Sequence, residues 1–377
     1  MKKTLAAVAV LGAFAGSALA ADVQLYGLID TGLQYLHSDA DTNKDATNSF
    51  SMESGMASGS RFGFKGTEDL GNGLTVGFVL ENGFTSDDGA EKGVFFDRES
   101  SLFLQGGFGK VAFGRMGSIN NGTSSWGKYG MISAFGTSWG DYAAQAGTWA
   151  MGAGLWDNMI SYQTPTFAGV TVYAQYGMGN AVKDYNSVEN ESSSDRYYAL
   201  GATYANGPLN LYLAVDSINY ATYNGKTTTS DVDDSLTVTL GGNFDFEVVK
   251  LFAGAQYFDE IKLSTMKGAV QLDSDTLAGK MEGWSLGVSA SIPAAGGTVL
   301  VGAAYLDAEA AGSVTGDAKD DELNRWIVSA GYDYPFSKRT DVYGVVTYNQ
   351  DQMDSKTAAN DRDPSVYGVM VGLRHKF

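Results

Sequence analysis

The sequence predicts an all-β fold, a transmembrane antiparallel β-barrel of about sixteen strands with a long third loop folded inward. Three observations point there. Apolar and polar residues alternate with period two along most of the chain, the mark of half-buried strands. Proline, which lacks the ladder N–H, falls between these runs, and acidic residues collect in every second connection. After the N-terminal segment, no stretch reaches the ~18 consecutive apolar residues of a membrane-spanning helix.

The first twenty residues read as a cleaved secretory signal: Lys2 and Lys3, an apolar stretch from Leu5 to Ala15, then Ala18-Leu19-Ala20. Residues 21–377 read as one barrel domain. The first strand runs from Asp22 to Tyr35, with Val23, Leu25, Ile29 and Leu33 opposite Gln24, Asp30 and Gln34. A polar segment, 37–56, follows as a loop. Strands are then expected at 60–66, 74–81, 98–105 and 111–115. Beyond residue 157 they are expected near 158–164, 170–178, 196–205, 209–219, 235–244, 249–258, 282–292, 298–307, 323–334, 341–349 and 365–377. Pro165, Pro208, Pro293 and Pro335 mark short turns, and the connections between them are long. That asymmetry is characteristic of barrels that cross an outer membrane.

Charge sorts with the connections. The 377-residue chain carries a net −18, and the seven long polar segments hold most of the acids. The short turns instead hold Lys110, Lys250, Lys338 and Arg339. Two chemically different rims follow. An acidic chain without a basic stripe argues against nucleic acid as a partner. There is no cysteine, so no disulfide, and the two histidines, His37 and His375, form no cluster for a metal. No cofactor is implied, and no Ser-His pair suggests an enzyme.

Residues 116–156 stand apart. They hold nine glycines and four of the six tryptophans, but only two charges, Lys128 and Asp141. Disordered segments are poor in aromatics and rich in charge, so this loop should pack against something. Its expected place is inside the barrel, narrowing the bore; a surface lid or compact Ω-loop is the alternative.

The chain resembles the Gram-negative trimeric general porins, particularly the β-proteobacterial type. The resemblance rests on Val23-Gln24-Leu25-Tyr26-Gly27-Leu28-Ile29-Asp30, on Ser60-Arg61-Phe62-Gly63-Phe64-Lys65-Gly66-Thr67-Glu68-Asp69-Leu70-Gly71 and on Phe108-Gly109-Lys110-Val111-Ala112-Phe113-Gly114-Arg115. Pro165-Thr166-Phe167-Ala168-Gly169 and the closing Gly372-Leu373-Arg374-His375-Lys376-Phe377 complete it. It implies sixteen strands, a homotrimer in outer-membrane lipid and lipopolysaccharide, and a third loop in the pore. It also implies that Phe377 is read by the outer-membrane assembly machinery. The chain departs from relatives with several acids on that loop, since Asp141 is the main one here, with Asp157 at its exit.

Arg61 and Lys65 share one strand face, and on the lipid side each would cost roughly 2–4 kcal/mol at mid-membrane. They are expected inward, as the basic wall of a constriction, extended by Arg98 and Arg115. Asp141, Glu81 and Asp157 are the candidates for its loop and acidic side. The alternative is that these arginines pair with Glu81, Glu99 or loop carbonyls, and that Asp141 caps a turn. The loop tryptophans are either packing anchors or a track for sugars. The function expected is passive diffusion of ions and small hydrophilic solutes. A solute-specific channel, or a barrel serving as adhesin or receptor, are the competing readings.

Overall fold

A computed structural model describes residues 23–42, 45–136, 145–149, 154–179, 188–221, 233–262, 280–314, 319–355 and 361–377. Residues 1–20 and Asp141 lie outside that set. Among the described residues, seventeen strand segments form one antiparallel sheet that closes on itself. In chain order they are β1 (Gln24–Asp39), β2 (Thr47–Ser54), β3 (Arg61–Gly71), β4 (Leu74–Gly83), β5 (Glu99–Gly106) and β6 (Gly109–Gly117). Then come β7 (Leu155–Gln163), β8 (Val170–Gly177), β9 (Arg196–Asn206), β10 (Leu209–Asn219), β11 (Leu236–Asp245) and β12 (Lys250–Lys262). The last five are β13 (Lys280–Ala294), β14 (Gly297–Ala310), β15 (Glu322–Pro335), β16 (Thr340–Asp354) and β17 (Ser365–Lys376).

Closure comes from β1 against β17, in register from Leu28↔Lys376 to Asp39↔Ser365. A sheet in hydrocarbon can leave no ladder open, and this pairing removes the edge. β1 is long enough to pair twice on its other side. Gln24–Leu28 meet β3, while Thr31–Ser38 meet β2. β2 and β3 therefore share one stave, interrupted at 55–60, and the seventeen segments make sixteen staves. The two faces follow the alternation. Leu25, Ile29 and Leu33 of β1 and Val369, Val371 and Leu373 of β17 are exposed on the outer surface, while Asp30 and Gln34 are buried within.

Three details differ from the sequence reading. β2 lies inside the segment read as a loop. Its outer face shows only Phe50 and Met52 among polar neighbours, too few to register as apolar alternation. Several strands run three to five residues past their expected outer ends, as β12, β14 and β16 do. Above the lipid a strand needs only backbone pairing, so hydropathy stops before the ladder does. Pro293 and Pro335 occupy strand ends rather than gaps, where one missing N–H is tolerated.

The chain ends where it began. Gly27 N–H donates to the Phe377 carbonyl at 3.2 Å, and Phe377 N–H returns to the Gly27 carbonyl at 3.0 Å. The Phe377 ring lies against Gly27, where a Cβ would approach the ring to 2.5 Å.

Candidate pore-lining site

The register fixes which way the wall residues point. Tyr26 faces Gly63, and Gly63 faces Glu81, which faces Glu99. Arg61, Lys65, Glu81 and Glu99 therefore share the inner face with Tyr26, while Phe62, Phe64 and Leu102 share the outer one. Glu81 sits among basic groups. Arg98 Nε donates to its Oε1 at 2.7 Å, Arg61 Nε lies 3.5 Å from Oε2, and the Tyr26 hydroxyl donates to Oε2 at 3.0 Å. Arg61 Nη1 also donates to the Gly59 carbonyl at 2.9 Å. Lys65 is exposed, and its ammonium lies 5.1 Å from the Tyr26 ring centre.

Two further cations lie near this wall, Lys110 on β6 and Lys128 in the segment between β6 and β7. Lys110, opposite Gln105 at the start of β6, holds its ammonium 4.1 Å over Phe103 and 4.9 Å over Trp126. Lys128 lies 5.2 Å over Tyr173. Burial pushes the Lys128 ammonium below lysine's ordinary range, and the charge of Lys110 adds to the effect. Among the described residues, Lys65, Lys110 and Lys128 have no carboxylate within ion-pair distance. Five cations, Arg61, Lys65, Arg98, Lys110 and Lys128, thus stand against two carboxylates, Glu81 and Glu99. Glu99 is further occupied by the Ser125 N–H and hydroxyl, each at 2.9 Å. Within this group of seven the surplus is positive, while the adjoining Arg374 is matched by Asp333 and Asp341.

The segment between β6 and β7 touches wall strands in sequence. Ile119 N–H donates to Gln175 of β8 at 2.7 Å. Asn120 donates to Asp216 of β10 at 2.7 Å and accepts from the Tyr212 hydroxyl. The Met131 carbonyl accepts from Asn243 of β11 at 2.8 Å, and Ala134 N–H donates to Ser289 of β13 at 2.9 Å. Arg325 of β15 donates to the Gly147 carbonyl at 2.9 Å. Small wall residues admit the larger loop side chains. A Cβ on Gly241 would meet Ile132 at 2.7 Å, and one on Gly254 would meet the Trp149 ring at 2.9 Å. Trp126, Tyr129, Ile132 and Trp149 share one buried cluster with Tyr197 and Tyr212 of the wall.

Measured against expectation, Arg61 and Lys65 share the inner face, and Arg98 joins Arg61 through Glu81. Glu81 lies on the basic wall itself, paired with Arg61 and Arg98 as in the alternative reading of these arginines. Arg115 stands opposite Ser100, on the face of Leu102 and Phe113. There Nη1 holds Asp157 at 2.5 Å and Nε donates to the Asp97 carbonyl at 2.6 Å, so neither Arg115 nor Asp157 joins the Arg61 group. A register shift between Gly114 and Met116 accompanies this turn of the chain. Met116 and Trp156 pair across β6 and β7, so the strands reach into the stretch read as loop. Trp156 stacks on Tyr197 at 5.2 Å. Lys110 was expected on the rim, yet its parity with Ala112, opposite Phe113, was readable in the sequence. Arg325 and Asp351 carried no local signal.

The family profile described as Gram-negative porin matches residues 6–355. The chain belongs to the Gram-negative porin family. This porin is 34% identical over the full length of both chains to an outer membrane porin protein of Bordetella pertussis. It is 31% identical, again over both full lengths, to outer membrane porin protein 32 of Delftia acidovorans. Among solved structures it is similar to the anion-selective porin from Comamonas acidovorans. That match has 26% identity and a TM-score of 0.66, and covers 95% of this chain and 100% of that one. The porin resides in the outer membrane of a Gram-negative bacterium and is a general diffusion channel.

Proposed function

We propose that the porin passes small anions in preference to cations through a bore narrowed by residues 116–156. The observation that carries this is the group of three lysines, Lys65, Lys110 and Lys128, with no carboxylate at ion-pair distance among the described residues. Charge lining a narrow passage is poorly screened and counts for more than charge on exposed outer loops, which salt screens beyond ~8 Å. The contacts from Gln175 to Arg325 support a loop laid along the inner wall, since the side chains it meets have inward parity. The anion selectivity of the Comamonas relative agrees in sign.

The proposal extends to a homotrimer embedded in lipid and lipopolysaccharide, exported by the signal at 1–20 and assembled through recognition of Phe377. It assigns Trp126 and Trp149 to packing: both are buried and offer no face to a passing sugar. The test is the reversal potential of the reconstituted porin in a tenfold gradient of potassium chloride. A potential of the sign set by chloride supports the reading. A potential at or beyond zero toward potassium rejects it.

A further inference from the structure

Arg325 of β15 and Asp351 of β16 face each other directly in the ladder. Both point inward, since Trp326 and Val328 take the outer face. An inward charge in a water-filled bore should be wet, as Lys65 is. Yet Arg325 is 0% exposed and Asp351 1%. Arg325 Nε donates to Asp351 Oδ1 at 2.5 Å and Nη2 to Oδ2 at 2.6 Å, which uses both carboxylate oxygens. The remaining Nη1 donates at 2.9 Å to the carbonyl of Gly147, 178 residues away in the chain. The next two residues are held as well. The Thr148 carbonyl accepts from Ser285 Oγ of β13, and the Trp149 ring fills the space over Gly254 of β12.

Stability is a weak reason for such a pair. Replacing a buried ion pair by apolar residues of similar size is often neutral or stabilising. A cross-strand pair serving only the barrel would also need no third donor. What the arrangement supplies is direction. The guanidinium is a planar fork, and a carboxylate gripping two of its nitrogens aims the third. Here it is aimed at loop backbone, on a stave across the barrel from β6 and β7, where the loop is rooted.

We propose that Arg325, oriented by Asp351, is the positioning residue that latches the returning limb of the 116–156 loop to the far wall and so sets the width of the bore. This rests on the reading of that loop as the constriction. Arg325 touches no solute and acts through Gly147.

The test places Arg325→Lys, the double variant Arg325→Met with Asp351→Leu, and a chain shortened between Gly122 and Gly147 in planar bilayers beside the parent. Single-channel conductance, open-channel noise, reversal potential and heat resistance of the assembled barrel are recorded for each. Arg325→Lys keeps the charge beside Asp351 but lacks the fork, and the double variant leaves no buried charge alone. Both should raise conductance about 1.5-fold and increase open-channel noise, because a loosened constriction is wider and less still. Reversal potential in Arg325→Lys should stay at the parent value, and heat resistance should change little. Lowered heat resistance with parental conductance, or failure of Arg325→Lys to assemble, would assign the pair a purely structural role and overturn the latch. Parental conductance in both point variants, with a raised value in the shortened chain, would reject the latch and leave the constriction standing. Parental conductance in all three would reject the constriction itself.

Discussion

Reversing Lys65 isolates the electrostatics of the wall. Lys65 is exposed, its ammonium lies 5.1 Å from the Tyr26 ring centre and it has no carboxylate partner among the described residues, so Lys65→Glu changes the bore by two full charges. At about 6 Å from a passing ion, one charge in a water-like medium is worth about 0.7 kcal/mol. The reversal doubles this, and a Debye length of about 8 Å roughly halves it again. The remaining ~0.7 kcal/mol is about threefold for each ion, in opposite senses for anion and cation. The anion-to-cation permeability ratio should therefore fall about tenfold. Stability should change by no more than the lost cation–π contact, about 0.5–1 kcal/mol. The assay is the reversal potential in a salt gradient, with the pair Arg115→Gln and Asp157→Asn as control. Those two are joined at 2.5 Å and lie off the Arg61 face, so their joint neutralisation should leave selectivity unchanged. If Lys65→Glu moves the potential no further than the control, Lys65 does not face the ion path and the reasoning fails.

Removing Phe377 should lower the amount of porin reaching the outer membrane, because its backbone and ring close the barrel against Gly27; normal levels in the membrane fraction would contradict this. Gly254→Val should collide with Trp149 and Ile132 and displace the loop, which raises conductance in whatever fraction assembles. A variant with parental conductance and heat resistance would show that the seat is not close. Proteases added to intact cells should cut, if anywhere, in long connections such as 308–322, and spare the turns at Pro208 and Pro335; cleavage at those turns would invert the topology. Neutralising Asp231, Asp233 and Asp234 together should shift selectivity much less than Lys65→Glu.

What the sequence revealed follows from which interactions are local. The facing of Arg61 and Lys65 was legible because a charge on the lipid face is costly, and period two then leaves only the inside. The outer faces of β1, β15 and β17 were legible because lipid demands an unbroken apolar row. β2 was not, since Phe50 and Met52 alone make no row, and its partner is the outer half of a strand already assigned. Arg115 shares the parity of Phe113, so alternation itself already set it on the opposite face from Lys110 and Ala112. Glu81 could be read either as an acid facing the arginines or as their partner, and the ladder sets it as partner, between Arg61 and Arg98. Arg325, Asp351 and Gly147 are brought together by closure of the sheet and the path of the loop, and nothing near any of them in the chain announces the others.

On the function proposed above, residues 116–156 narrow the bore. Wall contacts from Gln175 on β8 to Arg325 on β15 are its structural basis. Single-channel conductance of a chain shortened between Gly122 and Gly147, compared with the parent in the same salt, tests it most directly. The shortened chain should conduct more and admit larger neutral polymers. Equal conductance and an equal polymer cutoff would place the loop outside the bore and contradict the account.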